Sequence, residues 1–413
     1  MRRVKVLVSG VALAAISLVA ASLDVPSAGA ARARSVYTPV LAQLLAPNNP
    51  APVLGTDRMY HVVYELRLAN RGPIPTTLQT LEVLDSDSRV AVHAFQGVDL
   101  QNRVRNTGGA AALDTVIEPG GERLFLVDLE FGLSRSVPLS LLHKLTLLGP
   151  AGPRATEPTP ISYTIAVVGV DGLAPPVLVP PVSGNGWVIT NGCCDVGNPG
   201  RSAILPVNGA LWSPTRFAVE FMQLDDAGAF VHDDPSQLGN FTSYGADVVS
   251  VAPGRVVAML DAVPEQPAGA PPNPSAGFES ADGNYVVVDI GNGMTAFYGN
   301  LQPGSLTVQV GDRVQRREVL GTLGNSGDSS VPHLDFRLMA GASPIGSDGL
   351  PFVLNAFSYE GQLDAVRFFA EGINGNYLDN RDPNPVGRRR ELPLGLAIID
   401  FGAAGGAGAV GRT

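Results

Sequence analysis

The stretch "YHVVYELRL" alternates along its length, with Tyr60, Val62, Tyr64, Leu66 and Leu68 on one face and His61, Glu65 and Arg67 on the other. A period of two is the mark of a half-buried β-strand. "LQTLEVLD", "RLFLVDLEF", "HKLTLLG" and "ISYTIAVVGV" repeat the type, separated by turn clusters such as "NRGPIP" and "EPGGE". Roughly seven short strands over about 120 residues is the pattern of an immunoglobulin-like sandwich, expected here over 56–171. The Ala- and Pro-rich segment 31–55 before it reads as a tether. "GLAPPVLVPPVSGNG" after it places a proline-rich linker at 172–185.

A second alternating region follows. "ADVVSVAPGRVVAML", "NYVVVDIGNGMTAFYG" and "GSLTVQVGDRVQRREVLGTLG" read as strands joined by glycine turns, with "IGNGM" a tight-hairpin signal. The polar, proline-rich stretch 262–283 between the first two is expected as a long surface loop beside a groove. The predicted fold class is therefore all-β: an N-terminal immunoglobulin-like sandwich, then a β-sheet groove domain over 186–360. Further strands at 361–402 are expected to pack on that domain, and 403–413 reads as a flexible tail.

Composition narrows the function classes. The formal charge is −10 and the basic residues cluster only at "GRRRE", which gives nucleic-acid binding little support. The first thirty residues have a charged start (Arg2, Arg3, Lys5), an apolar run from Val6 to Leu23 and an Ala28-Gly29-Ala30 cleavage pattern. That is the layout of a secretory signal, favoured over an uncleaved anchor by its small residues. No later segment is apolar enough to span a membrane, so a secreted or cell-envelope protein is expected. Cys193 and Cys194 are adjacent, which does not fit a zinc ribbon. They close a vicinal disulfide or stay as buried thiols, and the sequence leaves both open. His61, His93 and His143 are scattered among the first strands and read as ordinary strand residues.

Candidate chemistry lies in "GNSGDSSVPHLDFRLM", where His333 and Asp335 stand two apart and share a strand face. The run "NYVVVDIGNGMTAFYGNLQPGSLTVQVGDRVQRREVLGTLGNSGDSSVPHLDFRLM" resembles the lysostaphin-type zinc metallopeptidases, secreted endopeptidases that cut peptidoglycan cross-bridges. The resemblance covers the order of strands, the "GDRV" turn and the "GNSG" approach, over about 186–357. It implies a duplicated-hybrid-motif β groove, with an H-x-x-x-D pair and the second histidine of H-x-H as zinc ligands. The first histidine of H-x-H and a histidine in Y-x-H-L act as catalytic groups. Three ligands leave an open zinc position for a water whose pKa falls to about 7.

Carried over onto this chain, the resemblance puts Arg216 and Glu220 in the H-x-x-x-D slot ("RFAVE"). Asn300 in "YGNL" takes a catalytic histidine position. His333 and Asp335 in "HLD" take the H-x-H positions. Only His333 keeps the family residue, and beyond residue 143 the chain has only His232 and His333. Glu220, Asp335, His333 and a recruited His232 are conceivable zinc ligands, but a permanently charged Arg216 beside a cation argues against one. Arg216 is expected instead to neutralise Glu220 and Asp335. The expectation is a degenerate, non-catalytic relative without cofactor that binds peptidoglycan peptide or regulates a cell-wall hydrolase. Its rivals are an active zinc metallo-endopeptidase with a carboxylate-rich site, and a structural envelope protein.

Overall fold

A computed structural model describes residues 35–46, 49–271 and 277–402; the expected signal at 1–30 and the tail at 403–413 lie outside the described residues. The first ten strands are β1 (Val40–Leu44), β2 (Val53–Leu54), β3 (Tyr60–Asn70), β4 (Thr76–Asp85), β5 (Ala91–Gln96), β6 (Val104–Arg105), β7 (Val116–Ile117), β8 (Glu122–Phe131), β9 (Ser140–Gly149) and β10 (Thr159–Gly169). They form two sheets, ordered β1-β3-β8-β6 with β2 beside β3, and β10-β9-β4-β5 with β7 beside β4. Val62, Tyr64, Leu66 and Leu68 from one sheet and Leu78, Leu81, Leu145 and Leu147 from the other meet in a single core. This is a β-sandwich, as a period-two pattern with one apolar face demands.

The segment 31–55 is more than a tether. Val40 and Ala42 are buried, β1 pairs along β3 from Val40↔Asn70 to Leu44↔Leu66, and the Tyr163 hydroxyl donates to the Val40 carbonyl at 2.8 Å. The linker at 172–185 is likewise part of the packed body. Its β11 (Val177–Leu178) runs parallel to a later strand, and Leu178, Val179 and Val182 are buried. Prolines set an extended backbone in both segments, and that backbone serves a sheet edge as well as a spacer.

Beyond it come β12 (Trp187–Asn191), β13 (Leu205–Val207), β14 (Ala210–Trp212), β15 (Val219–Gln223), β16 (Asp247–Val249), β17 (Gly254–Leu260), β18 (Asn284–Gly291), β19 (Met294–Leu301), β20 (Arg313–Val314), β21 (Val319–Thr322) and β22 (Leu334–Met339). The last are β23 (Gly349–Leu350), β24 (Val353–Leu354), β25 (Phe357–Gln362), β26 (Arg381–Arg388) and β27 (Ala397–Asp400), with a short helix α1 at Ala365–Glu371 between β25 and β26. One large sheet runs β20-β17-β18-β19-β22-β15-β12-β27-β25-β26, so the 361–402 segment is built into the sheet that holds β22. Its inner face (Val219, Phe221, Val286, Val288, Tyr298, Leu334, Phe336) forms the main core. The same core takes in Val53 and Val63 from the sandwich, so the two β bodies share apolar packing.

Candidate functional site

The candidate site lies on the face of the large sheet opposite the main core. Glu220 on β15 stands directly across from Asp335 on β22, and Asp335 in turn faces Gly299 on β19. Antiparallel partners have side chains on one face at close range, so the sheet brings together the two carboxylates at the expected ligand positions. Arg337, two residues on, shares that face. Its guanidinium lies 3.4 Å from Asp335 Oδ2, pairs with Asp282 and stacks 4.1 Å over the Phe297 ring. Asn191 donates to Glu220 Oε1 at 2.9 Å. Asp335 Oδ1 is buried with no hydrogen-bond partner. Burial raises the Asp335 carboxyl; Arg337 offsets part of this, while Asp282 and Glu220 push it further, to about 6.

Arg216 does not neutralise this pair. It lies three residues before β15, where the chain has turned toward the sandwich. There its Nε reaches both Glu65 oxygens at 3.0 Å, its Nη2 reaches Glu65 Oε2 at 2.6 Å and Asp348 Oδ1 at 3.3 Å. The carboxylate it was expected to meet on β22 is met by Arg337 instead. A cation at the i+2 position of "DFR" was the available sequence signal, since alternate strand residues share a face.

Asn300 adopts φ +60° and is buried, donating from Nδ2 to the Ser326 carbonyl at 2.9 Å. In that position it pins a loop and does not present its amide to Asp335. His333 is half-buried, with Nδ1 2.8 Å from the Val331 carbonyl and 3.2 Å from Ser329 Oγ. It is near enough to Asp335 to favour the charged carboxylate. His232 is exposed, and its backbone N–H donates to the Asn240 carbonyl.

The described part of the 262–283 loop lies along 324–330. Gln266 N donates to the Asn325 carbonyl and Gly269 N to the Ser330 carbonyl, at 2.9 and 2.7 Å; Glu265 Oε2 accepts from Asn325 N at 2.6 Å. Gly283 and Gly327 meet so closely that a Cβ on Gly327 would lie 2.3 Å from the Gly283 nitrogen. Both have positive φ, so these turns need glycine twice over.

The residues at the expected zinc positions do not fit a centre of the family's kind. Arg216 is committed elsewhere, Asp335 is faced by a guanidinium, and one imidazole remains. Among the described residues, the only His, Cys, Asp or Glu triplet whose ligand atoms gather within 4.8 Å of one another lies elsewhere, at His61, Asp128 and Cys194.

Residues 240–347 match the model of Peptidase family M23. No curated protein matches the chain. Among solved structures, the chain is similar to the catalytic domain of lysostaphin from Staphylococcus simulans, at 17% identity over 40% of this chain and 88% of that one, TM-score 0.23. A putative M23 peptidase from Pseudomonas aeruginosa shares 14% identity over 70% and 91%, TM-score 0.24. The catalytic domain of the prophage-encoded M23 protein EnpA from Enterococcus faecalis, solved as a mutant, shares 19% over 29% and 82%, TM-score 0.19. The lysostaphin-type resemblance thus stands on the family match at 240–347, which includes Asn300, His333 and Asp335.

Proposed function

We propose that the protein is a secreted or envelope-associated M23-like binding protein whose groove holds a peptidoglycan peptide or a cell-wall hydrolase without cleaving it. The observation that carries this reading is the Arg337 guanidinium paired with both Asp335 and Asp282, beside a position that the lysostaphin-type resemblance assigns to a metal ligand. A fixed cation there compensates the carboxylates through ion pairs, and Arg does not give up its charge. β15, β22 and β19 are each paired on both sides, so an extended peptide would be held by side chains of this face and by the loops that border it.

A second reading, an active metallo-endopeptidase with a carboxylate-rich site, is favoured by the unpartnered Asp335 Oδ1. One experiment separates the two. Protein purified without chelator is assayed for zinc and for release of soluble fragments from isolated cell wall, and co-sedimentation with that wall is measured in parallel. Binding without hydrolysis, unchanged by a chelator, is the expected result. Hydrolysis that a chelator abolishes and zinc restores would establish the second reading; neither binding nor hydrolysis would leave a structural role.

A further inference from the structure

The strongest unassigned chemistry lies away from the groove, on the outer face of β3 and β8 beneath the second β body. The register pairs Val63 with Asp128 and His61 with Glu130, so His61 and Asp128 are diagonal neighbours on one sheet face. His61 and Cys194 are buried there. His61 Nδ1 lies 3.2 Å from Asp128 Oδ1 and Nε2 lies 3.1 Å from Asp57 Oδ2. Asp57 sits on the turn ahead of β3, with 38% of its side chain exposed, and gives the cluster its opening to solvent. Cys194 enters from the second body, bonded to Cys193.

We propose that His61, Asp128 and Cys194 form a thiol-gated site for a zinc-class divalent cation, closed while the Cys193–Cys194 disulfide is intact and opened by its reduction. The donor set is one sulfur, one imidazole nitrogen and one carboxylate oxygen, all within 4.8 Å of one another, and Asp57 adds a second carboxylate across the imidazole. Zinc takes this mixture at about 2.0–2.3 Å per ligand, so the atoms need only modest inward movement. A disulfide sulfur is a poor donor, because the metal ligand is the thiolate. In the gating step a dithiol gives two electrons to the Cys193–Cys194 bond and itself becomes a disulfide, while each cysteine sulfur takes up a proton. On metal binding the Cys194 thiol releases its proton to solvent, and His61 ligates as the neutral imidazole. This site shares no residue with the groove, so it stands or falls apart from the binding reading above.

The test uses the full chain and zinc alone, with a phosphine reductant that leaves the sulfurs free, titrated against a chromophoric chelator. Reduced protein binds one equivalent, on the order of 100-fold tighter than oxidised protein. Two variants lose the same disulfide and so control for its effect on folding. Cys193→Ser keeps the Cys194 thiol and binds zinc without any reductant; Cys194→Ser does not bind under either condition. Cobalt(II) in reduced wild type shows a thiolate charge-transfer absorption that Cys194→Ser lacks. Equal zinc affinity for the two serine variants, equal affinity of oxidised and reduced wild type, or no binding by Cys193→Ser would overturn the proposal.

Discussion

Asp335 carries the clearest single-residue consequence of the groove. Its carboxyl rises from the usual 3.8 to about 6, chiefly through burial. The folded protein therefore holds this proton more tightly than the unfolded chain. The stabilising contribution is complete below about pH 4 and disappears as pH rises through about 6. At about 1.4 kcal/mol per pKa unit, the loss is on the order of 2–3 kcal/mol. Asp335→Asn is expected to lack that loss and to exceed wild type by about 1–2 kcal/mol at pH 7, because the amide has no charge to desolvate. Urea unfolding of both proteins at pH 4, 5, 6 and 7 checks it, and a difference that stays constant with pH would reject it.

His61 has the opposite chemistry. Burial alone would lower it, but hydrogen bonds and charge from Asp128 and Asp57 outweigh that and raise it from 6.5 to about 10. Its contribution is full below about pH 6.5 and is lost as pH rises through about 10. Wild type is expected to lose stability between about pH 7 and 10 where His61→Gln stays flatter, measured by melting at fixed ionic strength; parallel curves would count against it. At this scale the sequence was only partly legible. The Glu220–Asp335 pairing followed from motif positions, whereas the partner of each cation depended on strand direction and long-range contact. Arg216 and Arg337 both lie near the motifs, and only three-dimensional packing decided which one met Asp335.

Among the elements, β3 explains most of what the sequence left hidden. Its alternation is legible as a half-buried strand, but nothing in the sequence says what lies against the face with His61, Glu65 and Arg67. His61 and Glu65 on that face are buried, because the second β body covers it. The proline-rich stretches 31–55 and 172–185 obscured the same fact, since their short strands carry too few residues to show a period. Glu65 is wholly buried and meets Arg201 from one side and Arg216, which also pairs with Asp348, from the other. Burial would raise its carboxyl, but Arg216 and Arg201 hold it well below the usual range. Glu65→Ala leaves two buried guanidiniums short of an anion and is expected to cost about 3–5 kcal/mol. Glu122 holds Arg67 and Arg71, both largely solvent-exposed, and its alanine variant should cost about 1 kcal/mol or less. Chemical denaturation of the two variants tests the contrast. Equal losses would mean that the Glu65 cluster is no more than a surface pair in energy.

At the scale of the whole molecule, the junction between the two β bodies determines how the chain unfolds. Interfaces between separate domains are usually polar and permit relative motion. Here Val53 and Val63 of the sandwich sit in the same core as Phe217, Val219 and the β11 residue Leu178. The Glu65 carboxylate is neutralised by Arg201 and Arg216, so separating the bodies would expose apolar surface and break a buried ion cluster together. Both penalties act on one event, which makes independent unfolding of either body unfavourable. Residues 35–402 are therefore expected to unfold in one calorimetric transition, with calorimetric and van't Hoff enthalpies in a ratio of about 1. Glu65→Ala should weaken the junction and broaden that transition or split it in two, with the more stable step belonging to the body that keeps the larger core. Two resolved transitions in wild type would show that the bodies are coupled only weakly. A single sharp transition in both proteins would place the cooperativity in the shared apolar core and not in the Glu65 ion cluster.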